Sequence, residues 1–208
     1  MTRRQAPLFL STDGNILGRP VVSSRVKPVR ERNPMTEGDL ERFERVVLPY
    51  LDDAYTLARY LLRDEHDAQD VVQDAALRAL RYFGGYNGGD ARAWLLAIVR
   101  NCSLTFRKRR RADDQTIEFD DAAELSVDDG PPTDESAVQA SERVRVQRAI
   151  EALPPEFREV IVLREVEDMS YREISDVVGV PIGTVMSRLA RGRKRLAGLL
   201  GLDAREAS

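Results

Sequence analysis

Apolar residues between Leu40 and Leu61 recur at three- and four-residue intervals, with Val47, Leu51, Ala54, Leu57, Ala58 and Leu61 along one stripe. That period predicts helix and not strand. A second helix is expected from near Glu65 toward Tyr82, with Val72, Ala75, Ala79 and Tyr82 turned inward, until Phe83-Gly84-Gly85-Tyr86-Asn87-Gly88-Gly89 interrupts it. Glycine at that density argues against continuous helix. A third helix resumes at about Asp90, whose carboxylate is placed to cap free N–H groups. It carries Leu95, Ile98, Val99, Cys102 and Phe106 on one face and ends in the run Arg107-Lys108-Arg109-Arg110-Arg111. None of these segments alternates with the period of two that a half-buried strand requires.

Helical periodicity returns near Arg143, with Val146, Ile150 and Leu153 as the apolar stripe. Pro154-Pro155 restarts the chain, and Phe157, Val160, Ile161 and Arg164 fall on the next helix. After Glu167-Asp168-Met169, Ser170 and Glu173 have the spacing of a capping box, each able to satisfy an N–H at the start of a helix. Ile174, Val177 and Val178 supply its inner face, and Gly179 is placed to end it. A longer helix opens around Pro181-Ile182-Gly183-Thr184. A short capped helix, a tight turn and a longer basic helix are the order of a helix-turn-helix. The fold expected is therefore all-α, with two small helical domains and a helix-turn-helix in the second.

Charge divides the chain further. The formal net charge of the 208 residues is only −3, yet residues 113–142 hold eleven carboxylates, a Pro-Pro pair and no Lys or Arg. Like charges repel there and scattered apolar residues cannot form a core, so this segment reads as an acidic flexible linker. Residues 1–34 carry seven basic and two acidic residues, broken by Pro and Gly, and read as a flexible basic extension, with Met35 an alternative start. The domains expected are thus residues 35–112 and 143–208. No run of about 18 apolar residues is present, which predicts a soluble, cytoplasmic protein with no membrane span. One Cys and one His exclude a disulfide framework and make a metal cluster of the usual ligands unexpected. No cofactor is implied.

The last long helix separates two kinds of side chain. Val185, Leu189, Leu196 and Leu200 face the core, whereas Thr184, Arg188, Arg191 and Arg195 form another stripe with Ser187 beside it. A helix in a major groove needs hydroxyl or guanidinium groups near its front turns to meet base edges, and further cations to meet phosphates. Arg188 and Arg191 are the leading candidates for base edges, with Thr184, Met186 and Ser187 at the same end. Arg193, Lys194 and Arg195 are assigned to phosphates.

The stretches Leu153–Arg158, Ser170–Ile174 and Gly183–Leu189 together resemble region 4 of bacterial extracytoplasmic-function sigma factors, within the sigma-70 superfamily. The resemblance implies recognition of the −35 promoter element and contact with the polymerase flap; Met186 stands where relatives often have a basic residue. Asp67-Ala68-Gln69-Asp70-Val71-Val72-Gln73-Asp74, followed by Leu77-Arg78-Ala79, resembles the polymerase-binding helix of region 2. Asp67, Asp70 and Asp74 share a face, and spaced carboxylates complement a basic partner, with Gln73 and Arg78 adding directional hydrogen bonds. By resemblance that partner is the clamp helices of the largest polymerase subunit.

Ala91–Asn101 and the basic run after it resemble the part of region 2 that engages the −10 element. This implies DNA contacts from Arg92, Arg100, Asn101, Arg107, Lys108 and Arg109. The Phe83–Gly89 loop is where an unstacked base would be held, with Tyr86 and Asn87 as candidates for stacking and hydrogen bonding, although FGGYNGG is longer and less polar than usual for the family. Resemblance also implies an anti-sigma factor as a partner, and a linker that threads polymerase between the DNA-reading domains.

Trp94 reads as a core residue beside Leu95 and Ile98, Cys102 as a buried small hydrophobe, and His66 as a residue of a helix start. No nucleophile with a positioned base is evident, so no enzymatic activity is expected. The leading reading is a factor that binds core RNA polymerase, recognises −10 and −35 elements in promoter DNA and promotes opening and initiation. The alternatives are a free-standing helix-turn-helix regulator and, more distantly, a protein-binding adaptor; the first domain distinguishes them, since a regulator does not need its polymerase-binding motif.

Overall fold

The computed structural model describes residues 37–114 and 134–202, with side chains over 37–112 and 140–202. The basic extension and most of the acidic linker lie outside the described residues. Eight α-helices make up the described architecture: α1 Glu37–Val47, α2 Leu51–Leu62, α3 Glu65–Tyr82, α4 Ala91–Asp114, α5 Asp134–Glu151, α6 Pro155–Ile161, α7 Tyr171–Val178 and α8 Ile182–Leu200. Helix thus reaches into both edges of the acidic segment.

The Leu40–Leu61 stripe is carried by two helices and not one. Leu48-Pro49-Tyr50 forms a 3₁₀ turn between α1 and α2, where Pro49 supplies no N–H and its ring disfavours the preceding helical turn. Phe43, Val47, Ala54, Leu57, Ala58 and Leu61 are buried along the stripe. Arg63 ends α2 in the left-handed conformation, φ 66°, and its N–H returns to Arg59 O. Asp64 then caps α3 by accepting from Asp67 N at 2.8 Å, so the two helices meet with almost no connecting chain.

On α3 the inner face is Ala68, Val71, Ala75 and Ala79, rather than one centred on Val72 and Tyr82. Tyr82 is exposed because the following turn brings Phe83 inward in its place. Phe83 meets Phe43 edge to face at 5.3 Å and stacks on Tyr86 at 5.6 Å. Asp90 accepts from Ala93 N at 3.0 Å at the start of α4, the expected cap. Leu95, Leu96, Val99 and Cys102 then seal α4 against α2 and α3.

In the second half, Ile150 and Leu153 are buried whereas Val146 is exposed, because the α5 stripe enters the core only in its last turn. Pro155 opens α6 at a position where a missing N–H is harmless. A single wide π turn, Val162–Val166, follows α6. Ser170 and Glu173 form the expected capping box: Glu173 N donates to Ser170 Oγ at 3.3 Å and Ser170 N to Glu173 Oε2 at 2.6 Å. Gly179 ends α7 at φ 73°, which glycine adopts without Cβ strain. Val185 and Leu189 of α8 are buried against α6 and α7, with Leu196 half-buried.

The halves are not separate. α4 packs on α7 and α2 on α6, so the faces expected to meet DNA lie near a shared seam.

Candidate nucleic-acid and partner interfaces

On α8, Met186 and Ser187 are exposed at the front, and Ser187 Oγ donates to Thr184 O at 3.0 Å within the helix. Thr184 is half-buried and Arg191 and Lys194 are exposed. Arg188 is engaged: its Nη1 donates to Glu159 Oε1 at 3.1 Å. Arg193 lies 2.8 Å from Glu165, and the hydrogen bond it donates to that carboxylate raises its pKa above the ordinary guanidinium value. Arg195 lies over the Phe157 ring, 5.1 Å from its centroid, so its cation is partly committed to packing.

The first half shows the same mixture. Arg92 pairs with Asp53 and with Glu167, and also donates to Glu167 O at 2.7 Å. Burial works against the Arg92 charge, but the hydrogen bonds and charges of both carboxylates outweigh it and hold its pKa up. Glu167 is pushed up by burial and by nearby Asp53, against the pull of Arg92. Arg100 donates to Glu159 at 2.8 and 3.3 Å, which makes one buried carboxylate the shared partner of Arg100 and Arg188. Asn101 is half-buried, and its carbonyl accepts from Thr105.

Lys108 and Arg109 are exposed, whereas Arg107 is half-buried, its pKa lowered by burial and then by Arg111 and Arg63. In the loop, Asn87 is exposed and Tyr86 is half-buried between Phe83 and Trp94, with its hydroxyl donating to Gly89 O at 2.8 Å. Trp94 is half-buried, which places it at the core boundary as a brace for the loop. Tyr86 therefore shapes the loop that presents Asn87.

The acidic face of α3 is in solvent. Asp70 and Gln73 are exposed, and Leu77 is 57% exposed beside them. Asp74 pairs with Arg78 at 2.8 Å; burial opposes the Arg78 charge, and the bond to Asp74 more than restores it. Asp67 is bound to Arg110, yet burial leaves its pKa raised. Asp70, Asp74, Arg78, Cys102, Phe106 and Arg109 line a groove between α3 and α4. His66 is exposed, and no group of three or more metal-ligating side chains occurs among the described residues.

Periodicity did not reveal several seam residues. Glu151, Glu159 and Glu167 are buried acids of the second half, and each meets an arginine of the first: Arg59 at 3.1 Å, Arg100 and Arg92 respectively. Arg158 is 1% exposed, donating to Leu153 O at 2.7 Å and toward Tyr60 O across the seam at 3.4 Å. Burial, then Arg63 and Arg107, lower its pKa to about 10 against the pull of Glu151. The sequence signal available was charge at positions flanking an apolar stripe, which names no partner.

This combination defines an all-helical factor with a helix-turn-helix half and a second half bearing both an acidic helix and a basic one. The Sigma-70 region 2 family matches residues 46–112, and the Sigma-70 region 4 family matches residues 143–196. The chain belongs to the extracytoplasmic-function sigma factors of the sigma-70 superfamily, which are initiation factors of transcription and not enzymes. It is 33% identical over 167 residues to the ECF RNA polymerase sigma factor SigE of Mycolicibacterium smegmatis, covering 79% of this chain and 63% of that one. It is also 33% identical to the RNA polymerase sigma-H factor of Pseudomonas aeruginosa, covering 82% and 92%. Among solved structures, the sigma factor RpoE in complex with the anti-sigma factor NepR from Bartonella quintana matches 78% of this chain and 99% of that one. Its TM-score is 0.63 at 28% identity.

Proposed function

We propose that this chain carries core RNA polymerase to two-part promoters and helps hold the opened −10 DNA, with residues 35–112 and 143–208 as its working domains and residues 113–142 as the connection threaded through polymerase. The observation that carries this reading is the coincidence, in one chain, of an exposed acidic α3 face with a capped helix-turn-helix whose α8 bears an arginine stripe. A free-standing regulator needs the second feature and not the first.

Asp67, Asp70, Gln73, Asp74 and Arg78 form the polymerase contact, and exposed Leu77 adds an apolar anchor beside the charges. On α8, Arg188 and Arg191 read base edges of the −35 element together with Thr184, Met186 and Ser187, while Arg193, Lys194 and Arg195 hold phosphates. Arg92, Arg100, Asn101, Arg107, Lys108 and Arg109 track the strands at −10, and the Phe83–Gly89 loop braced by Tyr86 offers Asn87 to an unstacked base. An anti-sigma factor is the proposed regulator; the Bartonella relative is held by one. The site of action is the cytoplasm.

Reconstituted transcription with sigma-free core polymerase over a random promoter library tests the proposal. Start sites sharing a two-part upstream pattern are expected. Failure to bind core or to initiate returns the reading to a DNA-binding regulator.

A further inference from the structure

The leading end of α8 carries an uncharged row. Ile182 is 43% and Met186 53% exposed, and their four-residue spacing puts them on one side of the helix. Exposed Ala190 continues the row, and the cation Arg193 follows it. Beside Ile182, a Cβ on Gly183 would meet nothing within 4 Å, so another surface has room to approach the backbone of the first turn. Ser187 Oγ gives its proton to Thr184 O at 3.0 Å, which leaves it an acceptor at this end.

Single exposed apolar side chains are ordinary on protein surfaces, but a pair one turn apart at the front of a helix-turn-helix has a specific use. Exposed Arg191 and Lys194 on the same helix fit a polyanion, and the apolar feature that a major groove offers is the C5-methyl group of thymine. We infer that Ile182 and Met186 read thymine methyl groups in the −35 element, which makes them specificity-determining residues of this chain. The inference rests on the reading that α8 enters the −35 major groove.

Neither side chain can stand in for an arginine. Met186 offers a weakly accepting thioether and Ile182 no polar atom, so neither can donate to O6 and N7 of guanine. The flexible, polarizable methionine adjusts to the position of a methyl group, whereas branched isoleucine is stiff at χ1 and demands one place. Four residues rise about 6 Å along the helix axis, against about 3.4 Å per base-pair step. The two thymines are therefore expected within two steps of each other, and cytosine, with an N4 donor and no methyl, is the pyrimidine rejected.

Replacing thymine by deoxyuridine removes the methyl group and leaves every hydrogen-bonding group in place. Holoenzyme assembled from the full chain and sigma-free core polymerase is offered a library-selected promoter, with each −35 thymine replaced in turn by deoxyuridine and competed against the unmodified duplex. One replacement for each side chain should weaken binding about fourfold, the equivalent of about 0.8 kcal/mol for one buried apolar carbon. Met186→Ala should bind the unmodified promoter less tightly by a similar factor and no longer distinguish thymine from deoxyuridine at its position. Ile182→Ala should do the same at the other position. Loss of methyl sensitivity at one position alone is a result that general weakening of α8 would not produce. A selected −35 element without thymine, or deoxyuridine accepted at every −35 thymine with undiminished affinity, would overturn methyl reading while leaving α8 in the groove. Absence of any sequence preference at −35 would overturn the groove reading itself, and this inference with it.

Discussion

Gly192 of α8 sits directly over Ile161 of α6, where a Cβ on the glycine would stand 2.9 Å from Ile161 Cγ1 and 3.3 Å from its Cδ1. The close approach lets α8 lie against α6. Ile161 is itself fully buried and has no free direction in which to turn. Alanine gains about 0.5–1 kcal/mol over glycine in a helix interior, but overpacking a filled core typically costs about 1–3 kcal/mol. Gly192→Ala is therefore expected to lower stability modestly and Gly192→Val to lower it more, measured by urea unfolding. A Gly192→Val chain as stable as the parent would show that α6 and α8 separate easily.

The reciprocal bonds between Ser170 and Glu173 fix where α7 begins, ahead of the turn that aims α8. Removal of an N-cap hydroxyl typically costs about 1 kcal/mol. Ser170→Ala should lower the thermal midpoint by a few degrees, and Ser170→Asp should restore most of it, because a carboxylate accepts the same N–H and favours a helix start. Equal losses in the two variants would argue against the cap.

Local geometry was legible where one residue type has one local use. The capping box, the Asp90 cap and Gly179 all lie where spacing alone put them, because each acts within a single turn. Helical stripes located much of the core, and failed at Pro49, which splits the first stripe, at Phe83, which replaces Tyr82 inside, and at Val146, which stays exposed because α5 enters the core only at its end. The candidate surfaces were legible as charge stripes, but their partners were not. Glu159 pairs with an arginine 59 residues earlier and another 29 residues later, and no periodicity encodes a contact across a seam. Arg158 is the extreme case, a cation buried with backbone carbonyls as its acceptors.

Cys102 is the chain's one cysteine, buried on the inner face of α4, and burial pushes its thiol from 9.0 to about 11. The folded chain should thus react with iodoacetamide at pH 8 much more slowly than the unfolded chain. Because the folded pKa lies above the unfolded one, this group's contribution to stability is complete below pH 9 and is lost as pH rises through 11. Alkylation of the native chain at the rate of the denatured one would place Cys102 at the surface.

Asp70 is exposed on α3, and the cross-helix ion pair on this face belongs instead to Asp67 with Arg110. That difference predicts different outcomes. Asp70→Arg should leave the melting temperature within about a degree, since exposed substitutions usually stay within about 0.5 kcal/mol, yet weaken core polymerase binding by tenfold or more. Asp67→Asn should chiefly free the end of α4. Undiminished affinity of Asp70→Arg in a competition assay against another sigma factor would remove this face from the polymerase contact.

Arg188 and Lys194 lie on the same helix but belong to different chemistries. Arg188 is at the front of α8 beside Ser187, while Lys194 is exposed nearly two turns further on. A bidentate base contact discriminates by about 1–3 kcal/mol, whereas a phosphate contact contributes alike on every sequence. In the assembled holoenzyme, Arg188→Ala should reduce binding to a library-selected promoter far more than to random duplex. Lys194→Ala should reduce both equally and flatten the salt dependence by about one released counterion. Measured side by side across a salt series, equal losses on the two duplexes for Arg188→Ala would assign that arginine to the backbone, and base reading would then fall to Arg191.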